Sequence, residues 1–186
     1  MKKRKIISIS GELASGKGEV SKILKKELNY EIFSSGEYFR NLAKQNKMDV
    51  TTFGKYVETH PEIDLEIENR ASKYAKDHDE FIIDARLGWY VVPESYKVYL
   101  TVHIDEAAKR AFNDSKRKDT ENFTTEEEHK KDIKNRFELE NKRYKQLYGI
   151  DKSNHNNYDL VIDTTTKNPQ EVADIIIKEY KKWLKN

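Results

Sequence analysis

The chain has 186 residues, enough for one domain with a sizeable core, and 36% of them are hydrophobic against 37% charged. Its 35 basic and 33 acidic residues leave a net charge of only +2, no footprint for nucleic acid or a membrane surface, although local basic clusters can still hold phosphates. It has no cysteine, which excludes a disulfide scaffold, thiolate metal sites and a thiol nucleophile, and fits a reducing, cytoplasmic location.

The basic residues at the start read as a solubilising flank before the first strand. KIISIS (residues 5–10) is β-branched and apolar, a strand that ends at Gly11. Over 17–28, Val20, Ile23, Leu24 and Leu28 share one helix face, and Asn29 is a stop. Residues 30–34 form a short second strand, followed by a helix from about Glu37 and a helical stretch near 51–59. Pro61 opens another helix, with Ile63, Ile67, Ala71, Tyr74 and Ala75 on one side. Phe81 to Ile83 is an apolar run ending at Asp84, and KVYLTVH (97–103) is a fourth strand. A helix over 105–114 precedes a polar loop at 115–123. Thr125 and Glu128 have capping-box spacing, and the helix they open reaches Tyr148. DLVID (159–163) is the fifth strand, and Asn168-Pro169 opens a last helix with Val172, Ile175, Ile176 and Leu184 facing inward.

Strands and helices alternate, and the strands are nearly continuously apolar. That pattern predicts a single α/β domain whose parallel sheet is covered on both faces. The histidines are far apart, against a histidine metal centre, and no apolar run approaches a membrane-spanning length. There is no repeat and no linker.

The chemistry begins at GELASGK, whose frame G-x-x-x-x-G-K runs from Gly11 to Lys17 between a strand and a helix. Such a loop wraps a triphosphate with backbone N–H groups, and the helix N-terminus adds positive potential. The expected ATP-binding residues are Gly11, Ala14, Ser15, Gly16, Lys17, Gly18 and Glu19, with Lys17 reaching the β- and γ-phosphates. Gly18 stands where Ser or Thr normally supplies a hydroxyl to Mg²⁺, so the ion would rest on phosphates and water-mediated carboxylates. Glu19 either turns toward a lysine such as Lys22 or Lys26, or weakens nucleotide binding by repelling phosphate.

Beyond the loop, SSGEYFRNLAK (34–44), FGKYVETHPEID (53–64), IIDARLGW (82–89), KRYKQLYGID (142–151) and YDLVIDTTTKNPQEV (158–172) together resemble the archaeal-type cytidylate kinases and their bacterial cytidylate-kinase-like relatives. The resemblance spans nearly the whole chain. It implies a P-loop fold with a five-stranded parallel sheet, an acceptor region at about 35–78 and a mobile lid at about 110–149. The implied reaction moves the γ-phosphoryl group of ATP, with Mg²⁺, to CMP or dCMP. GKG is also the adenylate-kinase-like form of the loop, usually followed by Thr.

By this resemblance Ser35, Gly36 and Arg40 belong to the acceptor site, Arg40 holding the monophosphate with a bidentate guanidinium. Asp84 and Arg86 end the third strand, where ligands of open α/β sheets sit. Asp84 would orient Mg²⁺-bound water and Arg86 would be a second clamp on the acceptor phosphate. Ala85 replaces the family's usual Gly and narrows that approach. Asp64 and Arg70 are candidates for reading the base, or members of a solvated helix face. Trp89 stacks on the base, or packs in the core or against the lid.

Arg136, Glu140 and Arg143 stand at i, i+4 and i+7 on one helix face, about 10.5 Å end to end. Cytidylate kinases carry Arg-x-x-x-Asp-x-x-Arg at this spacing. The two arginines would meet the transferring phosphates beside Lys17 and Arg86, with Glu140 fixing their guanidinium groups. Arg110, Arg117 and Lys118 would join on closure, Arg117 at the ATP side. The expected partners are small nucleotides, with no nucleic acid or membrane and a monomer as the default. A P-loop kinase of another small acceptor and a low-turnover nucleotide-binding regulatory module are the alternatives.

Overall fold

The computed structural model describes residues 3–114 and 123–185. Arg117 and Lys118 lie outside them. In chain order the elements are β1 (Ile6–Gly11), α1 (Lys17–Leu28), β2 (Glu31–Ser34), α2 (Ser35–Gln45), α3 (Val50–Glu58), α4 (Pro61–Asp77), β3 (Phe81–Asp84), α5 (Gly88–Val91), β4 (Tyr96–Thr101), α6 (Ile104–Asn113), α7 (Glu126–Tyr148), a 3₁₀ turn (His155–Asn157), β5 (Leu160–Asp163) and α8 (Pro169–Lys185).

The five strands form one parallel sheet in the order β2-β3-β1-β4-β5. β1 is central and buried throughout, which is why its sequence is almost unbroken Ile and Ser. One face of the sheet, with Ile7, Ile9, Val98 and Leu100, packs on Val20 and Leu24 of α1 and on Val172, Ile176 and Tyr180 of α8. The other, with Ile6, Phe81 and Ile83, packs on Ala71 and Ala75 of α4 and on Val92. Smaller clusters hold the helical additions: Ala43, Phe53 and Val57 join α2 to α3, and Ile133 of α7 packs with Ala107 and Ala111 of α6.

From β1 the chain crosses over β3 to reach β2, and from β3 it crosses over β1 to reach β4. The loops leaving β1 and β3 therefore diverge to opposite sides. They open a crevice at the carboxyl ends of these two strands, the switch point where doubly wound sheets place ligands.

Two boundaries and one added turn differ most from the sequence expectation. α2 starts at Ser35 rather than near Glu37, because the Ser34 hydroxyl caps it by accepting from the Glu37 N–H. β4 stops at Thr101, since the next two N–H groups are taken by side chains: Val102 donates to the Glu12 carboxylate at 2.7 Å and His103 to Thr165 Oγ1 at 2.9 Å. The single turn α5 is an addition. A Cβ on Gly88 would lie 3.2 Å from Ser8 and Ile83, so glycine lets this turn rest close on the sheet. The capping box at Thr125 and Glu128 forms with both reciprocal bonds, and the α7 backbone ends at Gly149 in the left-handed region.

Candidate active site

The loop between β1 and α1 owes its shape to two glycines. A Cβ on Gly11 (φ 151°) would stand 2.4 Å from the Leu100 carbonyl oxygen, so the loop crosses β4 where only glycine fits. Gly16 (φ 88°) is the left-handed cap of α1, and no side chain caps that helix start, whose N–H groups are left for an anion. Glu12 anchors the loop through its bond to Val102. Ser15 Oγ donates to the Glu12 carbonyl, and Thr164 Oγ1 donates to the Ser15 carbonyl.

Lys17 curls over this loop, donating to the carbonyls of Gly11 (3.2 Å) and Glu12 (3.0 Å). Burial, reinforced by the Arg86 charge and opposed by Asp84, lowers its pKa to about 7. Gly18 has open space where a Cβ would go. Glu19 turns outward and pairs with Lys22 at 2.7 Å, both side chains more than half exposed, so the first of its two expected alternatives holds.

The loop forms one wall of a cavity of about 760 Å³, within the range of small-molecule sites. One end is lined by Thr164, Lys167, Pro169 and Val172 after β5, and the other by Ser35, Arg40, Asp64 and Glu68 of α2 and α4. Asp84, Ala85 and Arg86 lie between, with Arg136, Glu140 and Arg143 on the α7 side. The structure thus brings together the expected loop residues Ala14, Ser15, Gly16, Lys17, Gly18 and Glu19 with Ser35, Gly36, Arg40, Asp64, Asp84, Arg86, Arg136 and Arg143, while Gly11 lines a neighbouring pocket. Arg110 joins them, donating to the Thr164 carbonyl (2.7 Å) and Thr165 carbonyl (3.2 Å) beside the loop. The Ala85 methyl packs in the sheet core and is 3% exposed, so it fills existing space beneath the cavity.

Two expected acceptor residues are not brought to the cavity. Arg70 lies over the Tyr38 ring at 4.3 Å on the outer side of α4. Six residues on from Asp64 is well over a turn and a half of helix, so the two point apart. Trp89 packs edge-on against Tyr90 and Tyr158.

The charge network also differs from the expected one. Glu140 does not bind the two α7 arginines: its Oε2 accepts from Arg86 Nε at 2.8 Å and from Lys152 Nζ. Arg143 donates instead to Asp64 on α4 (2.5 Å), and both are nearly fully buried. Arg136 pairs with Asp132 one turn back, at 3.6 Å, and Asp132 accepts from Thr51 Oγ1, tying α7 to α3. Each arginine takes the carboxylate nearest to it across or along the helix. Although burial opposes ionisation, Arg86, Lys152 and Arg136 hold the Glu140 carboxyl well below the usual range. Burial lowers the Lys152 ammonium to about 8 against the pull of Glu140. Burial raises the Asp84 carboxyl, against the opposing charges of Lys17, Arg86 and Arg40.

Glu12, Lys152 and Glu68 escape a sequence reading. Glu12 sits at a variable position of the loop frame, and Lys152 follows α7 in a polar turn with nothing to mark it as buried. Glu68 carries a signal: it stands one turn beyond Asp64 on the same face of α4.

The arrangement suits Mg²⁺ held mainly by phosphate oxygens and water. Asp84 is the one carboxylate on the sheet edge of the cavity, no cluster of three acidic or histidine ligands occurs among the described residues, and Gly18 offers no hydroxyl.

Known proteins resemble this chain in fold and in sequence. A 12%-identical structure, shikimate kinase from Acinetobacter baumannii in complex with shikimate, covers 96% of this chain and 94% of its own, with a TM-score of 0.62, a likeness of fold alone. The cytidylate kinase of Thermoplasma volcanium is 34% identical over 92% of this chain and 88% of its own length. An S-adenosylmethionine-dependent nucleotide dehydratase of Lacinutrix mariniflava is 34% identical over 95% of this chain, which spans only 36% of that longer protein. The family model described as "Cytidylate kinase-like family" matches residues 6–166, and the chain belongs to that family.

Proposed function

We propose that the protein is a nucleoside monophosphate kinase that transfers the γ-phosphoryl group of ATP to CMP or dCMP, with Mg²⁺. The observation that carries this reading is the position of Lys17, Arg86 and Arg136 on one cavity, between the phosphate loop and the Ser35–Arg40 segment. Phosphoryl transfer demands positioning and charge neutralisation more than covalent chemistry. The loop N–H groups and Lys17 hold the donor triphosphate. Arg40, at the far wall, holds the acceptor phosphate. Arg86, at the end of β3 and within reach of both, meets the charge that spreads over the transferring oxygens, and Arg136 approaches from α7. Bound Mg²⁺ would neutralise further charge on the phosphates, with Asp84 orienting its water. The acceptor is already an anion, so no general base is required.

The test is ADP release from MgATP with CMP, dCMP, UMP, AMP, GMP or no acceptor. A signal dependent on CMP or dCMP is the expected result. Turnover with another monophosphate alone replaces the acceptor and keeps the mechanism, and silence across the panel with ATP binding intact overturns the kinase reading.

A further inference from the structure

Both residues expected to read the base are engaged elsewhere, Asp64 with Arg143 and Arg70 with the Tyr38 ring. Glu68, one turn beyond Asp64, lines the acceptor end of the cavity. Its Oε2 is shut off from solvent and has no hydrogen-bond partner among the described residues. A shielded, unpartnered carboxyl oxygen is costly unless something that binds later satisfies it. We propose that Glu68 reads the base edge of the acceptor nucleotide, an inference that rests on the monophosphate-kinase reading above.

The protonation state decides what this carboxyl can read. Burial, with the Asp64 carboxylate second, raises it to about 8, so at neutral pH it is mostly protonated. Of the groups that face it, Asp64 shares its helix, and Tyr144 and Tyr148 stand on α7, with Arg143 of the same helix held at Asp64. α2 brings Glu37 and Arg40 to the same cavity, whereas α3 brings Val50, Thr51 and Gly54, none of which titrates. Arg143 is already neutralised by Asp64, and among the described residues no cation offsets the burial of Glu68.

A neutral carboxyl carries an O–H donor beside a C=O acceptor. Cytosine presents the complementary pair, the N3 acceptor beside the N4 donor. Uracil presents the reverse order, which the same carboxyl meets with its oxygens exchanged. Glu68 thus selects an edge with one donor and one acceptor, and the choice between cytosine and uracil falls to its neighbours. Ionisation removes the donor and leaves two acceptors, one of which faces a base lone pair.

The experiment measures kcat/KM for CMP at saturating MgATP from pH 6 to 9.5 in wild type, Glu68→Gln and Glu68→Ala, with thermal melts as a check on folding. Gln keeps both a donor and an acceptor but does not titrate. At pH 7, E68A is expected to lose about 10- to 100-fold in kcat/KM for CMP, the worth of two hydrogen bonds, with KM for ATP little changed. E68Q should retain at least tenfold more than E68A. The ratio of wild type to E68Q cancels the titrations of Lys17 and Lys152, and it should fall as pH rises through about 8. A flat ratio, an E68Q as impaired as E68A, or an E68A with unchanged kcat/KM overturns the proposal. Wild-type turnover of CMP alongside any of these results leaves the kinase reading standing, and absence of any monophosphate turnover in wild type removes both.

Discussion

Removing the charge of Glu140 tests the centre of the site. Glu140 Oε2 accepts from Arg86 and Lys152, and its side chain is only 15% exposed. In Glu140→Gln those two cations, with Arg136 beyond them, face one another with no carboxylate between. Breaking a buried pair by removing one partner costs about 3–5 kcal/mol, and the retained amide oxygen places the loss near the lower end. For a chain of this length each kcal/mol moves Tm by about 2–4 °C, so the deficit is about 6–12 °C. The pH dependence gives a second handle. Lys152 already sits at about 8, and Glu140 is the interaction that raises it. Without that carboxylate it falls further, while the unfolded lysine stays protonated to near 10.4. The unfolded state then binds more protons than the folded one, so the variant gains stability as pH rises. Calorimetric melts at pH 6 and pH 9 should show a large deficit at the lower pH and a smaller one at the higher. A deficit under about 2 °C at pH 6 would refute the view that this carboxylate holds the cations together, and an equal deficit at both values would refute the role of Lys152.

Lys17 at about 7 is partly neutral in the free protein, and bound phosphate returns it to its charged form. ADP binding at pH 8 without metal should therefore take up protons, seen as a calorimetric heat that varies with the ionisation enthalpy of the buffer; equal heats in all buffers would refute this. The same shift makes the free protein gain stability from about pH 7 toward 10.5, since only the unfolded lysine stays protonated there. Glu19, paired with Lys22 in solvent, should matter little: Glu19→Thr is expected to change ATP affinity less than about fivefold, the scale of an exposed ion pair. A tenfold tightening would mean that its charge reaches the phosphates.

The inner strands β1, β3 and β4 were legible because they are largely buried on both faces and write apolar runs, the partly exposed edge strands β2 and β5 because a short apolar run sits between polar residues, and the phosphate loop because Gly11 and Gly16 are demanded by backbone geometry. Gly11 has no room for a Cβ, and no pattern of side chains elsewhere alters that. Ser35, Gly36, Arg40 and Arg86 were found through resemblance rather than spacing. What spacing could not supply was the pairing across elements. Arg136, Glu140 and Arg143 do share a helix face, and from that face alone Glu140 is the natural partner of both. The partners they take, Asp132, Asp64, Arg86 and Lys152, depend on how α7 lies over α4 and the end of β3. Lys152 shows the limit most clearly: a lysine in a polar turn is 5% exposed because Phe137 and Tyr144 close over it, its ammonium 5.0 Å and 5.9 Å from their ring centroids.

These pairings explain how the free protein tolerates so many cations around one cavity. Lys17 Nζ and Arg86 Nη1 both donate to the Gly11 carbonyl, and Arg143 donates to Asp64. The positive groups are thus satisfied by protein acceptors before any nucleotide arrives, which avoids the cost of unpaired buried charge. A carbonyl is a weaker partner for these cations than a phosphate oxygen, because it carries only a partial negative charge whereas the phosphate oxygen adds the attraction of a full anion. On the proposed function, a bound nucleotide would exchange the Gly11 contacts of Lys17 and Arg86 for stronger ones, while Glu140 and Asp64 keep the guanidinium groups oriented. The loop carbonyl holds Lys17 and Arg86 loosely and the carboxylates hold Arg86 and Arg143 in place, a division of labour that keeps the buried cations satisfied while leaving the Gly11 contacts open to exchange for an anion, as the proposed function requires.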